Sequence, residues 1–158
     1  MKKTLKIAAL CMALCMAVTA FAACGGADTG NASVSEIYTA LNEAVEFPEM
    51  LSLSEADLMS YLGIDSSLYT EKEAHIPLTA VSGDMVLIFK AADDAGVSAI
   101  REKLENYRSQ KLAEMNNYLP DEYEKIGKSS VKTSGSIVWL VVSAEQEAAE
   151  AAVEGCLK

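Results

Sequence analysis

Residues 83–91 read GDMVLIFKA, and the fold follows from them. Gly83-Asp84 has the composition of a two-residue type II′ hairpin turn, and the run Met85–Lys90 is apolar at odd and even positions alike. A strand that is apolar on both faces suits a central position in the sheet. Upstream, the stretch from His75 to Val81 alternates loosely and supplies the first, edge strand of this hairpin. Downstream, residues 136–143 read SIVWLVVS, a second doubly apolar run; with Ser130 to Thr133 and a turn at Ser134-Gly135 it forms a second hairpin. The two most apolar runs, Met85–Ala91 and Ile137–Val142, should be neighbours in the middle, giving a spatial order 1-2-4-3.

Helices fill the rest. Ser33-Val-Ser-Glu36 is a capping box, and Val34, Ile37, Tyr38, Leu41 and Val45 follow at helical spacing. That helix should stop before Phe47-Pro48, because the residue preceding proline avoids the α region. Ser54 with Asp57 opens a second helix, with Leu53 and Leu58 placed as a hydrophobic staple and Gly63 as its C-cap. A long helix is predicted from Asp94 to Tyr118, with Val97, Ile100, Leu104, Tyr107, Met115 and Tyr118 on one side. Pro120 closes it and opens a one-turn helix ending at Gly127. Ser143 with Gln146 caps an Ala-rich terminal helix. The expected order is α-α-β-β-α-β-β-α: an α+β domain over residues 33–158, a four-stranded antiparallel sheet of two hairpins with the long helix packed on it. A domain of about 125 residues buries roughly two thirds of its unfolded surface, enough for a real core.

The first 32 residues read differently. Lys2, Lys3 and Lys6 form a positively charged start, and Ile7–Ala23 carries no charge. This run is short for a spanning helix, which needs about 20 apolar residues, but it has the length and flanks of a secretory signal. Residues 1–23 are therefore expected to be a lipoprotein signal peptide. Phe21-Ala22-Ala23-Cys24-Gly25 resembles a lipobox, with Phe21 where leucine is usual: two small residues admit a processing peptidase, and the Cys24 thiol accepts a diacylglyceryl group. Residues 24–32 are then the lipidated cysteine and a flexible tether. The alternatives are cleavage after Ala20-Phe21-Ala22, which releases a soluble protein, and an uncleaved signal anchor. Cys11 and Cys15 lie in the leader, so a chain starting at Cys24 retains only Cys156 as an unmodified thiol and forms no intrachain disulfide.

Charge narrows the partners. Beyond the leader, 23 acidic residues face 10 basic ones. Such a domain repels nucleic acid and anionic lipid head groups over about 8–10 Å. No nucleic-acid partner is expected; the acidic surface reads first as a solvated, solubilising one, and it could attract a cationic partner.

The chain is similar to the Gram-positive, clostridial-type lipoproteins that carry domain of unknown function 4358. The resemblance rests on Leu58, Tyr61-Leu62-Gly63-Ile64-Asp65, Leu87-Ile88-Phe89-Lys90-Ala91, Leu104, Arg108, Tyr118-Leu119-Pro120 and Gly135-Ser136-Ile137-Val138. These are mostly core and turn residues. The resemblance implies export and lipidation and carries over no functional residue.

Chemistry-bearing patterns are sparse. A zinc site needs clustered Cys and His, and beyond Cys24 the chain has one His and one Cys. Asp93-Asp94 lacks calcium-loop spacing and suits a helix N-terminus better. His75, beside Pro77 on a predicted edge strand, reads as exposed or capping, Cys156 as a small apolar residue, and Trp139 as core. G-x-S-x-G, H-E-x-x-H and phosphate-loop patterns do not occur. No metal, cofactor or catalytic residue is assigned. One position breaks the pattern: Lys111 falls in the centre of the stripe of Ile100, Leu104, Tyr107 and Met115, with Arg108 at its edge. Either Lys111 snorkels past the sheet edge or the helix overhangs its sheet there, or Arg108 and Lys111 form a cationic spot for a carboxylate of the same chain, a peptide terminus or an acidic glycan. The expected function is a non-catalytic binding or accessory module, held by lipid on the extracytoplasmic face of the cell membrane, with an unidentified protein or envelope partner. The alternative is a carboxylate-dependent hydrolase of wall or envelope material.

Overall fold

A computed structural model describes residues 32–158, so the leader and Cys24 lie outside the described residues. The elements are α1 (Val34–Ala44), β1 (Met50–Ser52), α2 (Glu55–Leu62), a 3₁₀ turn (Ser66–Leu68), β2 (Tyr69–Pro77), β3 (Met85–Ala91), α3 (Asp94–Met115), α4 (Pro120–Lys128), β4 (Lys132–Ser134), β5 (Ile137–Val142) and α5 (Gln146–Cys156). The sheet is antiparallel throughout, in the order β1-β2-β3-β5-β4. β3 is its central strand.

Two expectations are corrected here. The sheet has five strands rather than four, and its order changes because the three-residue β1 adds outside β2, pairing Met50 with Pro77 and Ser52 with His75. The element order becomes α-β-α-β-β-α-α-β-β-α. β2 also spans residues 69–77 rather than 75–81, and β1 flanks its last three residues, so His75 is paired on both sides, with Ser52 and Val86. Pro77 terminates it, as a residue without an N–H must.

The doubly apolar strands are explained by helices on both faces. Met85, Leu87 and Phe89 of β3 and Val138, Leu140 and Val142 of β5 pack with Leu58, Ile100, Leu104 and Ile126 beneath α2, α3 and α4. The alternate residues, Val86, Ile88, Ile137, Trp139 and Val141, pack with Val34, Ile37, Leu41, Ala149 and Val153 of α1 and α5. Every residue of β5 is buried. This three-layer arrangement places the long helix where it was expected and adds a second helical layer opposite it.

The helix signals correspond closely to the caps. Ser33 with Glu36 and Ser54 with Asp57 each form a complete capping box, and Gly63 closes α2 in the left-handed region at φ 67°. Three details differ. α3 stops at Met115, so Tyr118 is 84% exposed rather than on the buried stripe. α4 runs nine residues rather than one turn. At α5 the box is half made: the Ser143 N–H donates to Gln146 Oε1 at 3.2 Å, but the Ser143 hydroxyl accepts from Glu145.

The turn chemistry is redistributed too. Gly83 does not adopt positive φ, so no type II′ turn forms at Gly83-Asp84. The positive φ falls instead on Gly135, at +55°, the first central residue of the two-residue Gly135-Ser136 turn between Ser134 and Ile137. Positive φ at the first position alone is the II′ pattern. Gly83 is small for another reason: a Cβ there would lie 2.8 Å from Ile126 Cγ1 of α4.

Candidate functional site

Arg108 and Lys111 each find partners within the chain. Arg108 Nε donates to Ser129 Oγ at 3.2 Å and its Nη2 to the Gly127 carbonyl at 3.1 Å. It braces α3 against the C-terminal turn of α4, where a cation also offsets the helix dipole. The Lys111 side chain is 29% exposed, with Nζ 2.7 Å from Glu114 Oε2 and 5.7 Å from the centre of the Tyr107 ring. Its stem leaves the apolar stripe alongside Tyr107 and its charge reaches a carboxylate one turn on. Burial raises the Tyr107 phenol's pKa, partly offset by the Lys111 charge.

Two lysine–carboxylate clusters link distant segments. Lys125 Nζ lies 2.8 Å from Asp84 Oδ2 and 2.9 Å from Glu122 Oε2. Asp84 is buried and also accepts from the Ser82 hydroxyl at 2.6 Å, while the Gly83 N–H donates to Glu122 at 2.6 Å. Burial disfavours the Lys125 charge, but hydrogen bonds from its ammonium to Asp84 and Glu122 prevail and hold its pKa above the ordinary lysine value. The cluster clasps residues 82–84 onto the first turns of α4. In the second cluster, Lys132 of β4 donates to Glu150 and to Glu154 of α5. Burial opposes the Glu150 charge, but bonds from Lys132 and Gln146 outweigh it and keep this carboxyl below its usual pKa. These contacts join residues 41, 18 and 22 positions apart, which no local spacing reveals.

Beside the second cluster is an open depression of about 500 Å³, lined by Arg101, Lys132, Thr133, Trp139, Glu154 and Lys158 among others. Trp139 is 4% exposed and belongs chiefly to the core. A smaller recess of about 180 Å³ adjoins it, bounded by Ala32, Lys90, Ser136 and Leu157. Here the chain enters the domain: Glu71 accepts the Val34 N–H at 3.0 Å with one oxygen and pairs with Lys90 at 2.9 Å through the other. Those two bonds, Lys90 first, lower the Glu71 pKa. Cys156 is half-buried against the α1–α5 side of the core. His75 stacks face to face on Tyr38, ring centres 4.4 Å apart, with Nε2 2.7 Å from Glu73 Oε2. This ring pins α1 to the sheet, a role its position beside Pro77 did not suggest. Among the described residues there is no grouping of three or more His, Cys, Asp or Glu able to hold a metal ion.

Residues 43–143 match the family described as Domain of unknown function (DUF4358). The chain belongs to this family. Neither a curated protein nor a solved structure matches it. The span that defines the DUF4358 domain runs from the end of α1 to just past β5. It includes all five strands and the whole Asp84–Lys125–Glu122 clasp, whereas Glu150 and Glu154 lie beyond it.

Proposed function

We propose that this DUF4358 protein is a lipid-anchored binding or accessory module on the extracytoplasmic face of the cell membrane. The observation that carries the reading is Cys24. It directly follows the small pair Ala22-Ala23 at the end of an uncharged run preceded by three lysines. A diacylglyceryl group supplies two acyl chains, and two chains give the stable anchoring that one cannot. Eight residues separate Cys24 from the Ser33 cap of α1, a Gly-rich span of about 15 Å. The start of α1 is tied to the sheet through Glu71, so the anchor would hold the folded body close to the bilayer. Among the described residues no helix is long and apolar enough to cross a membrane.

Binding is favoured over turnover by the state of the clustered carboxylates. A carboxyl-pair hydrolase keeps one group protonated by raising its pKa. Glu150, whose partner Lys132 lines the depression of about 500 Å³, is shifted the opposite way. Asp84 and Glu122 enclose a lysine rather than a space for substrate. The test is Cys24→Ala in the native host: the variant should leave the membrane pellet or accumulate as unprocessed precursor. A variant processed and pelleted like the parent would reject the anchor.

A further inference from the structure

Registers divide the domain into two ends. Lys90 pairs with Ile137 beside the Gly135-Ser136 turn, and Ala32 borders the same recess, so the tether enters here. At the opposite end, Met85 pairs with Val142 and Met50 with Pro77, about 17 Å away along β3. The loop 78–84 closes that far end.

Its tip is apolar and exposed. Leu78 is 53% and Val81 63% accessible, and Leu51 on the edge strand β1 is 44% accessible. The loop is nevertheless firmly held: the Leu78 N–H donates to the Glu49 carbonyl at 3.2 Å, and the Lys125 clasp fixes residues 82–84. Apolar side chains on a braced loop lose little freedom when they dock, the usual economy of a preorganised contact surface. The exposed charges flanking β1 and β5 at this end are acidic. Glu46 and Glu49, before β1, and Glu145, just after β5, are all exposed at this end, and Lys125 is already bracketed by two carboxylates.

We infer that the loop 78–81 and the adjoining edge of β1 dock a protein partner that presents an apolar contact rimmed by lysine or arginine. Charge complementarity selects that occupant. An anionic bilayer would be repelled by the glutamates, and a second copy meeting this face symmetrically would set the same glutamates against each other. The inference deepens the binding-module reading. It places contact at the end away from the anchor, leaving the tether end to the membrane.

The test is photo-crosslinking in native cells with benzoylphenylalanine replacing Val81 in the full-length protein, and Thr133 at the tether end as the control position. The expected result is a discrete protein adduct from position 81 only, mapped by mass spectrometry to a segment rich in Lys or Arg. Its yield should fall at least tenfold when Glu46→Lys, Glu49→Lys and Glu145→Lys are combined, with melting unchanged. A lipid adduct, a dimer of this chain, a segment without cations, an equal yield from position 133 or no adduct would each overturn it. Membrane fractionation of the same cells reads the anchor separately, so loss of one conclusion is distinguishable from loss of the other.

Discussion

Replacing Lys125 with Met should destabilise the domain well beyond an ordinary surface change. The parent side chain is 16% exposed, between Asp84 at 10% and Glu122 at 20%. Methionine keeps most of the volume but leaves two carboxylates facing each other without a cation. Breaking a fully buried pair costs about 3–5 kcal/mol; for this partly hydrated cluster we expect roughly 2–4 kcal/mol. For a domain of this size that corresponds to a fall in Tm of roughly 10 °C. Urea and thermal unfolding of the parent, Lys125→Met and Lys125→Met/Asp84→Asn measure it. The double variant, which no longer opposes two charges, should recover about 1 kcal/mol. The pH dependence has a definite sign. The folded pKa of Lys125 is raised, so its contribution in the parent is complete below the ordinary lysine value of 10.5 and is lost as pH rises through the folded value. A deficit under about 0.5 kcal/mol, or one that does not shrink as pH rises through the folded Lys125 value, would refute the reasoning.

Gly96→Ala should cost at least about 2 kcal/mol, because its Cβ would sit 2.6 Å from the Leu68 carbonyl oxygen. Gly127→Ala, in open space near the end of α4, should be neutral or stabilising by up to about 1 kcal/mol, and urea midpoints separate the two. Arg108→Met should lose about 1–2 kcal/mol with its bonds to Ser129 and Gly127, while Lys111→Met should stay within about 0.5 kcal/mol of the parent. The reverse ranking in chemical denaturation would contradict the brace assigned to Arg108. Glu71→Gln should cost less than about 1 kcal/mol at pH 7, since its 36% exposed side chain is screened by water. Because the Glu71 pKa is lowered, that difference is present above 4.5 and should vanish as pH falls through the folded value, which a stability–pH curve checks.

Much of the fold was legible because it is written in local terms. β3 and β5 declare themselves by unbroken apolar runs, and Ser33, Ser54 and Gly63 by caps whose partners lie within a few residues. The sheet's other edge was not legible. β1 is too short to show alternation, and the first half of β2, Thr70-Glu-Lys-Glu73, looks like solvent-facing loop. Those polar residues lie where β2 has only β3 beside it, since β1 pairs residues 75–77 alone, and side chains there find partners: Glu71 meets Lys90, Lys72 donates to the Leu53 carbonyl, and Glu73 meets His75. The cationic positions were legible as anomalies on a helical stripe, since Lys111 interrupts it and Arg108 borders it. Their partners were not. Ser129 and Gly127 come from another helix terminus, and the Lys125 clasp joins residues 41 apart. Gly83 was misread for a related reason: its lack of a side chain serves a close approach to Ile126, which only the packed structure discloses.

The most direct measurement is the mass of the N-terminal peptide of the protein taken from the membranes of its own host. The account predicts that the mature chain starts at Cys24 and carries a diacylglyceryl thioether on its sulfur. A chain beginning at Ala22 or Ala23, or Cys24 with an unmodified thiol, would contradict it.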